Sequence, residues 1–157
     1  MAIMLYEAGL YDKARIYATD MNSESLKTAK EGIMSLAKVE LYKKNYALSG
    51  GTEDFSKYYT AKYKSAIFQP FLRKNIVFAE HNLVTDSSFN EFHVILCRNV
   101  MIYFDETLRN KVHGLLHDSL GTLGVLVLGS KESIEFTPYA RYYEPMHGTE
   151  KVYRKIR

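Results

Sequence analysis

Two strongly hydrogen-bonding side chains, Arg98 and Asn99, stand between two apolar runs near the middle of the chain. The first run, residues 94–97, has no polar alternation, which is typical of a strand covered on both faces in a parallel sheet. Open α/β sheets bind their ligands at the carboxyl ends of strands, where these two side chains would lie. Arg98 and Asn99 are therefore candidate ligand-binding residues, and the alternative is a solvated loop that merely ends a strand.

An acidic residue, Asp20, ends another predicted strand, over residues 14–20. In nucleotide-binding α/β folds, a carboxylate at the tip of the second strand can accept hydrogen bonds from both ribose hydroxyls. Asn22 and Ser23 follow as candidate helix caps, so Asp20 could equally belong to the start of that helix. The local pattern leaves these two roles evenly balanced.

A short predicted strand at residues 76–78 runs into the polar segment 80–83, Glu-His-Asn-Leu. The polarity again changes at the carboxyl end of a strand, as it does after residues 94–97. Because the carboxyl ends of parallel strands meet at one edge of a sheet, the two segments indicate a common ligand edge.

His113 and His117 are four residues apart on the helix predicted after Asp105, which is the spacing of a zinc-binding helix. Gly114 stands where the catalytic glutamate of such a motif would be, and no third ligand is evident. The pattern therefore favours two surface histidines and no metal site.

The composition is that of a soluble globular chain of 157 residues, long enough for one domain with a core. No apolar run approaches the roughly 20 residues that a membrane span needs, so the chain is not expected to be membrane-embedded. The net charge of +3 is mild and not clustered, which argues against a nucleic-acid partner. The single cysteine, Cys97, indicates a reducing compartment and is expected to be a small buried apolar residue.

Strands and helices alternate along the remaining sequence, which predicts an α/β fold. The aromatic-rich segment 55–72 is expected to form a small antiparallel hairpin beside the main sheet. The other expected elements are helices over residues 2–8, 23–34, 35–46 and 105–120, a strand at 125–128 and a closing edge strand within 142–156.

Five segments, in this order along the chain, resemble chemotaxis receptor methyltransferases, the CheR family. They are Ile16-Tyr-Ala-Thr-Asp20, Asn82-Leu83, Cys97-Arg-Asn-Val-Met-Ile-Tyr-Phe-Asp105, Leu128-Gly-Ser-Lys-Glu-Ser133 and Val152-Tyr-Arg-Lys155. The resemblance runs along nearly the whole chain. It implies that residues 1–157 have a Rossmann-like S-adenosylmethionine-dependent methyltransferase fold. Within this fold, residues 55–72 would form a small antiparallel β subdomain.

The resemblance also implies an activity, which is methyl transfer from S-adenosylmethionine to glutamate side chains of chemoreceptors in the cytoplasm. The products would be a glutamyl methyl ester and S-adenosylhomocysteine, and no metal would be needed. By position, Asp20 would hold the ribose, Asn82 and Leu83 would border the adenine, and Arg98 and Asn99 would contact the homocysteine end.

Tyr103 is the catalytic residue that the resemblance implies, because it would position the methyl group and the incoming carboxylate. A glutamate with a reference pKa of about 4.3 is already ionised at neutral pH, so no general base is required. Tyr103 could instead be only an aromatic anchor of the turn. The segment 55–72 resembles the subdomain that docks a receptor tail peptide in some members.

The family's first strand and glycine-rich cofactor loop would precede Met1, so the chain is expected to be truncated at its amino terminus. In a doubly wound sheet that strand separates the strand ending at Asp20 from the one ending at Arg98. A noncatalytic remnant or peptide-interaction module of the same fold therefore remains the alternative to a working enzyme.

The 157-residue chain alone is accordingly expected to bind S-adenosylmethionine weakly or not at all, unless an upstream fragment or another copy of the chain fills the place of the missing strand. Calorimetric titration of the isolated chain with S-adenosylhomocysteine tests this expectation. Micromolar binding would contradict the expectation, and binding that appears only when an upstream segment is present would support it.

Overall fold

Residue contacts group the chain into two compact units, an amino-terminal unit (Met1–His81) and a carboxy-terminal unit (Asn82–Arg157). The computed structural model describes all of residues 1–157. The expectation that both units belong to one partial catalytic domain stays a prediction.

The amino-terminal unit contains three helices and five strands. In chain order they are α1 (Ala2–Glu7), β1 (Ile16–Asp20), α2 (Ser23–Glu31), β2 (Ile33–Ser35), α3 (Val39–Leu48), β3 (Tyr59–Lys62), β4 (Ser65–Phe68) and β5 (Ile76–Glu80).

The carboxy-terminal unit contains one helix and four strands. They are β6 (Phe92–Cys97), α4 (Glu106–Ser119), β7 (Leu120–Leu128), β8 (Tyr143–Pro145) and β9 (Val152–Lys155). At 14 residues α4 is the longest helix, and no helix combines the length and the apolar character that crossing a membrane requires.

Strands β1 and β5 pair in parallel, with Asp20 opposite Glu80 at their carboxyl ends. The predicted cap of α2 is confirmed, because the Asn22 side chain accepts hydrogen bonds from the backbone N–H groups of Glu24 (2.9 Å) and Ser25 (3.1 Å). The helix ends earlier than expected. Gly32 adopts a left-handed conformation with φ of 68°, which terminates α2, so the next residues form β2 instead of a further helical turn.

The expected antiparallel hairpin within residues 55–72 is confirmed as strands β3 and β4. Short 3₁₀ turns flank it at Phe55–Tyr58 and Pro70–Arg73. Strand β2 adds a third member, which the sequence did not indicate, and the sheet order is β2-β4-β3. Buried residues from this sheet, α3 and the flanking turns form the core of the unit: Met34, Val39, Phe55, Tyr58, Ala66 and Leu72.

In the carboxy-terminal unit the strand order is β6-β7-β9-β8, with β6 and β7 parallel and the other pairs antiparallel. The closing edge strand is therefore β8, whereas β9 lies inside the sheet. Helix α4 covers one face and starts at the predicted cap, where the Asp105 carboxylate accepts the Leu108 N–H at 2.8 Å. Val112 and Leu116 of α4 join Leu126 and Leu128 of β7 in the core.

The prediction that β6 is covered on both faces is wrong within this unit. Side chains alternate between the two faces of a strand, and Ile95 and Cys97 face the core that α4 covers. Val94 and Leu96 point to the opposite face, where they are 46% and 52% exposed. The apolar run thus predicted the strand correctly, but it did not predict that one face of the strand is exposed.

Candidate functional site

The turn that follows β6 is held by one buried carboxylate, that of Glu132. Its Oε1 accepts the backbone N–H groups of Val100 (2.9 Å) and Met101 (2.8 Å). Its Oε2 accepts those of Asn99 (2.8 Å) and Gly129 (2.7 Å). The carboxyl ends of the parallel strands β6 and β7 are therefore joined through a single side chain.

Two backbone features allow this arrangement. Asn99 has φ of 59°, a left-handed conformation that asparagine tolerates better than most residues, and it directs successive N–H groups toward one acceptor. A Cβ atom at Gly129 would overlap the Asn99 side-chain oxygen and would lie 2.8 Å from the Asn99 backbone nitrogen. Only glycine leaves room for the turn at that point.

The electrostatics of Glu132 favour its ionised form. The side chain is only 6% exposed, and burial by itself would raise the pKa of its carboxyl. The four N–H donors outweigh burial and hold that pKa below its ordinary value. Glu132 is thus a permanent acceptor at neutral pH, with its oxygens committed to the backbone.

Cys97 confirms the expectation of a small buried residue at the end of β6. Burial raises the pKa of the Cys97 thiol to about 12, and the negative charge of Glu132 adds to this rise. A thiol with such a pKa is protonated at neutral pH and is not a nucleophile.

Three of the predicted site residues lie on the turn that Glu132 holds. Arg98 and Asn99 are exposed directly after β6. Tyr103 ends the 3₁₀ turn Met101–Tyr103 and is 85% exposed, whereas Met101 at the start of that turn is buried in the core. The turn is therefore anchored at one end and presents the Tyr103 ring and hydroxyl to solvent at the other.

Asn82 and Leu83 begin the carboxy-terminal unit and are both half-buried. The Asn82 side-chain oxygen accepts the Val84 N–H at 2.9 Å, and the Asn82 N–H donates to the Asp86 carboxylate at 2.8 Å. Leu83 packs against the core of this unit. Their loop is thus fixed by local hydrogen bonds, and their proposed contact with adenine stays a prediction.

Asp20 lies exposed at the carboxyl end of β1, in the amino-terminal unit. One of its carboxylate oxygens accepts the Asn22 N–H at 2.8 Å. This bond supports the role at the helix start that the sequence left open. A ribose contact through the other oxygen is compatible with the exposure of the side chain and stays a prediction.

The expectation of two surface histidines is wrong for His113, which is 2% exposed. Burial lowers its pKa, the charge of Glu132 opposes that shift and the charge of Arg109 reinforces it. His117 is half-buried among aromatic rings, with its Nδ1 3.3 Å from the Tyr143 hydroxyl. The structure contains no group of three or more histidine, cysteine or acidic side chains that could hold a metal ion.

Glu132 is the residue that the sequence interpretation missed. Glu132 is one of four polar residues, 130–133, that follow the strand predicted at 125–128. Nothing in that local pattern says which polar residue turns inward, since its partners Asn99, Val100 and Met101 lie more than thirty residues earlier. Two signals were available: an acidic residue follows the end of a predicted strand, and Glu132 lies within Leu128–Ser133, one of the five segments that carry the resemblance.

Comparison with known proteins gives a consistent result. Residues 1–152 match the family model described as "CheR methyltransferase, SAM binding domain". The chain is 48% identical over 155 residues to a protein of Pseudomonas putida named putative methyltransferase Cher3, covering 99% of this chain and 57% of that protein.

Two further relatives are named chemotaxis protein methyltransferases. The one from Borreliella burgdorferi is 32% identical over 142 residues, covering 85% of this chain and 45% of the relative. The one from Pseudomonas aeruginosa is 29% identical over 128 residues, covering 79% of this chain and 43% of the relative. The chain thus spans about half the length of the relatives it matches.

Replacing Glu132 by Gln tests its role in holding the turn. Glutamine keeps the shape but puts an NH₂ group where one oxygen accepted two N–H groups, so we expect a loss of about 1–3 kcal/mol in the free energy of unfolding. Amide hydrogen exchange at residues 99–101 should also accelerate. The matched control is Glu135→Gln, an exposed position three residues away. Equal effects of the two substitutions in urea unfolding would contradict the assignment.

The pH dependence of stability gives an independent check. Because the folded-state pKa of Glu132 is lowered, its ionisation stabilises the fold above the unfolded-state pKa of about 4.3. That contribution is lost as the pH falls through the lower folded-state value. We expect the difference in unfolding free energy between the wild type and the Glu132→Gln variant to shrink as the pH falls below about 5. A constant difference over this range would rule out the ionised carboxylate as its source.

Proposed function

The chain belongs to the CheR methyltransferase family, and we propose that it contributes the S-adenosylmethionine site of an enzyme that methylates glutamate side chains of chemoreceptors. The observation that carries this proposal is the turn held by Glu132, which presents Arg98, Asn99 and Tyr103 from one end of β6. Because those glutamates belong to the cytoplasmic part of a receptor, the proposed place of action is the cytoplasm.

The donor and acceptor groups fit the cofactor chemically. An exposed carboxylate, Asp20, suits the two hydroxyls of a ribose. The exposed guanidinium of Arg98 forms no ion pair within the chain, so it is free to bind the carboxylate at the homocysteine end. When bound, the cofactor supplies a methyl group activated by a sulfonium. Asn82 and Leu83 would border its adenine, and Asn99 would support the homocysteine end.

The catalytic task left to the protein is orientation. The acceptor glutamate is ionised at neutral pH, so its carboxylate is already the nucleophile. The buried acid nearest the turn, Glu132, has its oxygens occupied by four N–H groups and is not available as a base. We propose that the Tyr103 hydroxyl donates a hydrogen bond that aligns the incoming carboxylate with the methyl group. Alignment alone can lower the activation barrier by a large amount.

A receptor tail peptide is the second proposed partner, at the hairpin within residues 55–72. Strand β3 is a terminal strand of its sheet, and Thr60, Ala61 and Lys62 on it are exposed. An extended peptide can add to such an edge through main-chain hydrogen bonds. This surface would serve equally in a noncatalytic interaction module, so methyl transfer is the property that separates the two functions.

The deciding experiment is transfer of labelled methyl groups to a receptor cytoplasmic fragment, using the longest chain that the coding region provides. A glutamyl methyl ester is released as methanol by mild alkali, which distinguishes it from methylation on nitrogen. Absence of alkali-labile label, with the chain folded and S-adenosylhomocysteine bound, would favour the noncatalytic module.

Within that assay, Tyr103→Phe should lower turnover by about 10- to 100-fold, because the reacting carboxylate loses an orienting hydrogen bond. The affinity for S-adenosylhomocysteine should change by less than about threefold, since the ring remains. Tyr6→Phe is the control, because that exposed tyrosine lies on α1, outside the segments assigned to the cofactor and to the receptor peptide. Parallel losses of turnover and cofactor affinity in Tyr103→Phe would contradict the proposed role.

A further inference from the structure

A cleft of about 350 Å³ lies within the carboxy-terminal unit, between the amino-terminal half of α4 and the segment 131–137. Met101 and Ile102 of the turn after β6 form part of its wall. Tyr103 does not line it. The cleft therefore adjoins the turn that presents Tyr103 but is separate from the position where the reacting carboxylate is proposed to lie.

The rim of the cleft carries two cations without partners. Arg109 of α4 and Lys131 of the facing segment are both exposed, and neither forms an ion pair. Glu106 is the one exposed carboxylate in the lining, and it too makes no ion pair with them. Glu132 also lines the cleft, but its oxygens already accept four N–H groups. The two cations are thus available to an anion from outside.

One residue that lines the cleft, His113, has an unsatisfied ring nitrogen. His113 is 2% exposed and lines the cleft, and its Nδ1 has no hydrogen-bond partner. Buried polar groups in proteins are nearly always hydrogen-bonded, so an orphaned ring nitrogen calls for an explanation. A ligand oxygen in the cleft is a partner that the fold itself does not provide.

Apolar surface stands beside these polar groups. The Phe136 ring, on the segment that carries Lys131, is 92% exposed, and Ile102, on the turn after β6, is exposed as well. A ligand with a short aliphatic stem and a terminal carboxylate would match both the apolar walls and the cationic rim. The volume is at the lower end of the range for ligand pockets, which suits a single side chain with its flanking backbone.

We propose that this cleft binds an acidic side chain of the protein substrate that is distinct from the methylated glutamate. Arg109 and Lys131 hold the carboxylate, Ile102 and Phe136 contact its aliphatic stem, and His113 completes the hydrogen bonding. The inference rests on the proposed function, because it assumes a protein substrate that passes the turn carrying Tyr103. It adds a second point of attachment that fixes where the reacting glutamate lies along that substrate.

The test uses two blocked pentapeptides, acetyl-Ala-Ala-Glu-Ala-Ala-amide and the same peptide with Gln in place of Glu. Each is titrated into the isotope-labelled 157-residue protein without cofactor, and the imidazole nitrogen resonances of His113 and the amides of residues 131–137 are followed by NMR. The glutamate peptide should shift these resonances in a saturable way. The glutamine peptide should not, because it lacks the charge that Arg109 and Lys131 recognise.

Two surface variants sharpen the test. Arg109→Gln and Lys131→Gln should each weaken binding of the glutamate peptide about tenfold, the loss of roughly one charge-assisted hydrogen bond. Lys111→Gln makes the same change in net charge at an exposed position of α4 outside the cleft, and it should leave the affinity unchanged. All three positions are exposed, so the fold is retained.

Three outcomes would overturn the proposal: no shift of His113 with the glutamate peptide, equal binding of the glutamine peptide, or an equal loss in Lys111→Gln. Titration with S-adenosylhomocysteine and the methyl-transfer assay report on the proposed function separately. Peptide binding without methyl transfer would support the proposed peptide site in the cleft and contradict the proposed methyltransferase activity. Methyl transfer without peptide binding would reject the cleft alone.

Discussion

The interaction on which the carboxy-terminal unit depends is the convergence of four backbone N–H groups on the Glu132 carboxylate. A buried charge is costly unless it is fully hydrogen-bonded, and here the donors come from the ends of two neighbouring parallel strands. The same bonds that compensate burial therefore fix the turn after β6. The geometry of the turn also requires glycine at position 129, because a side chain there would collide with Asn99.

The elements predicted correctly from the sequence are those whose sequence signals lie within a few neighbouring residues. The caps Asn22 and Asp105 accept the expected N–H groups, and the hairpin within residues 55–72 has its two strands. Strand β2 was missed because Ile33 and Met34 continue the apolar spacing of α2. Only the left-handed conformation of Gly32 separates the helix from the strand. Burial of β6 was overstated because an apolar run does not reveal how many of its faces are covered.

For the site, the sequence located the turn but not the group that holds it. Arg98, Asn99 and Tyr103 are adjacent in sequence, so one motif finds them all. Glu132 acts on them from a distant segment, and its inward direction is a property of the folded backbone. For His113 the sequence predicted an exposed side chain, and the structure has a buried one. Its spacing from His117 indicated a shared exposed face, whereas His113 is buried where α4 faces the segment 131–137.

The chemistry of the site follows from the way its acidic group is used. A carboxylate saturated by backbone donors has a lowered pKa and cannot take up a proton near neutral pH. An enzyme that had to generate its nucleophile would need a base with a pKa near the working pH, and Glu132 is the opposite of such a group. A glutamate acceptor removes that requirement because it arrives ionised. In the proposed reaction, the task left to the turn and to the exposed Tyr103 hydroxyl is the placement of one carboxylate relative to one methyl group.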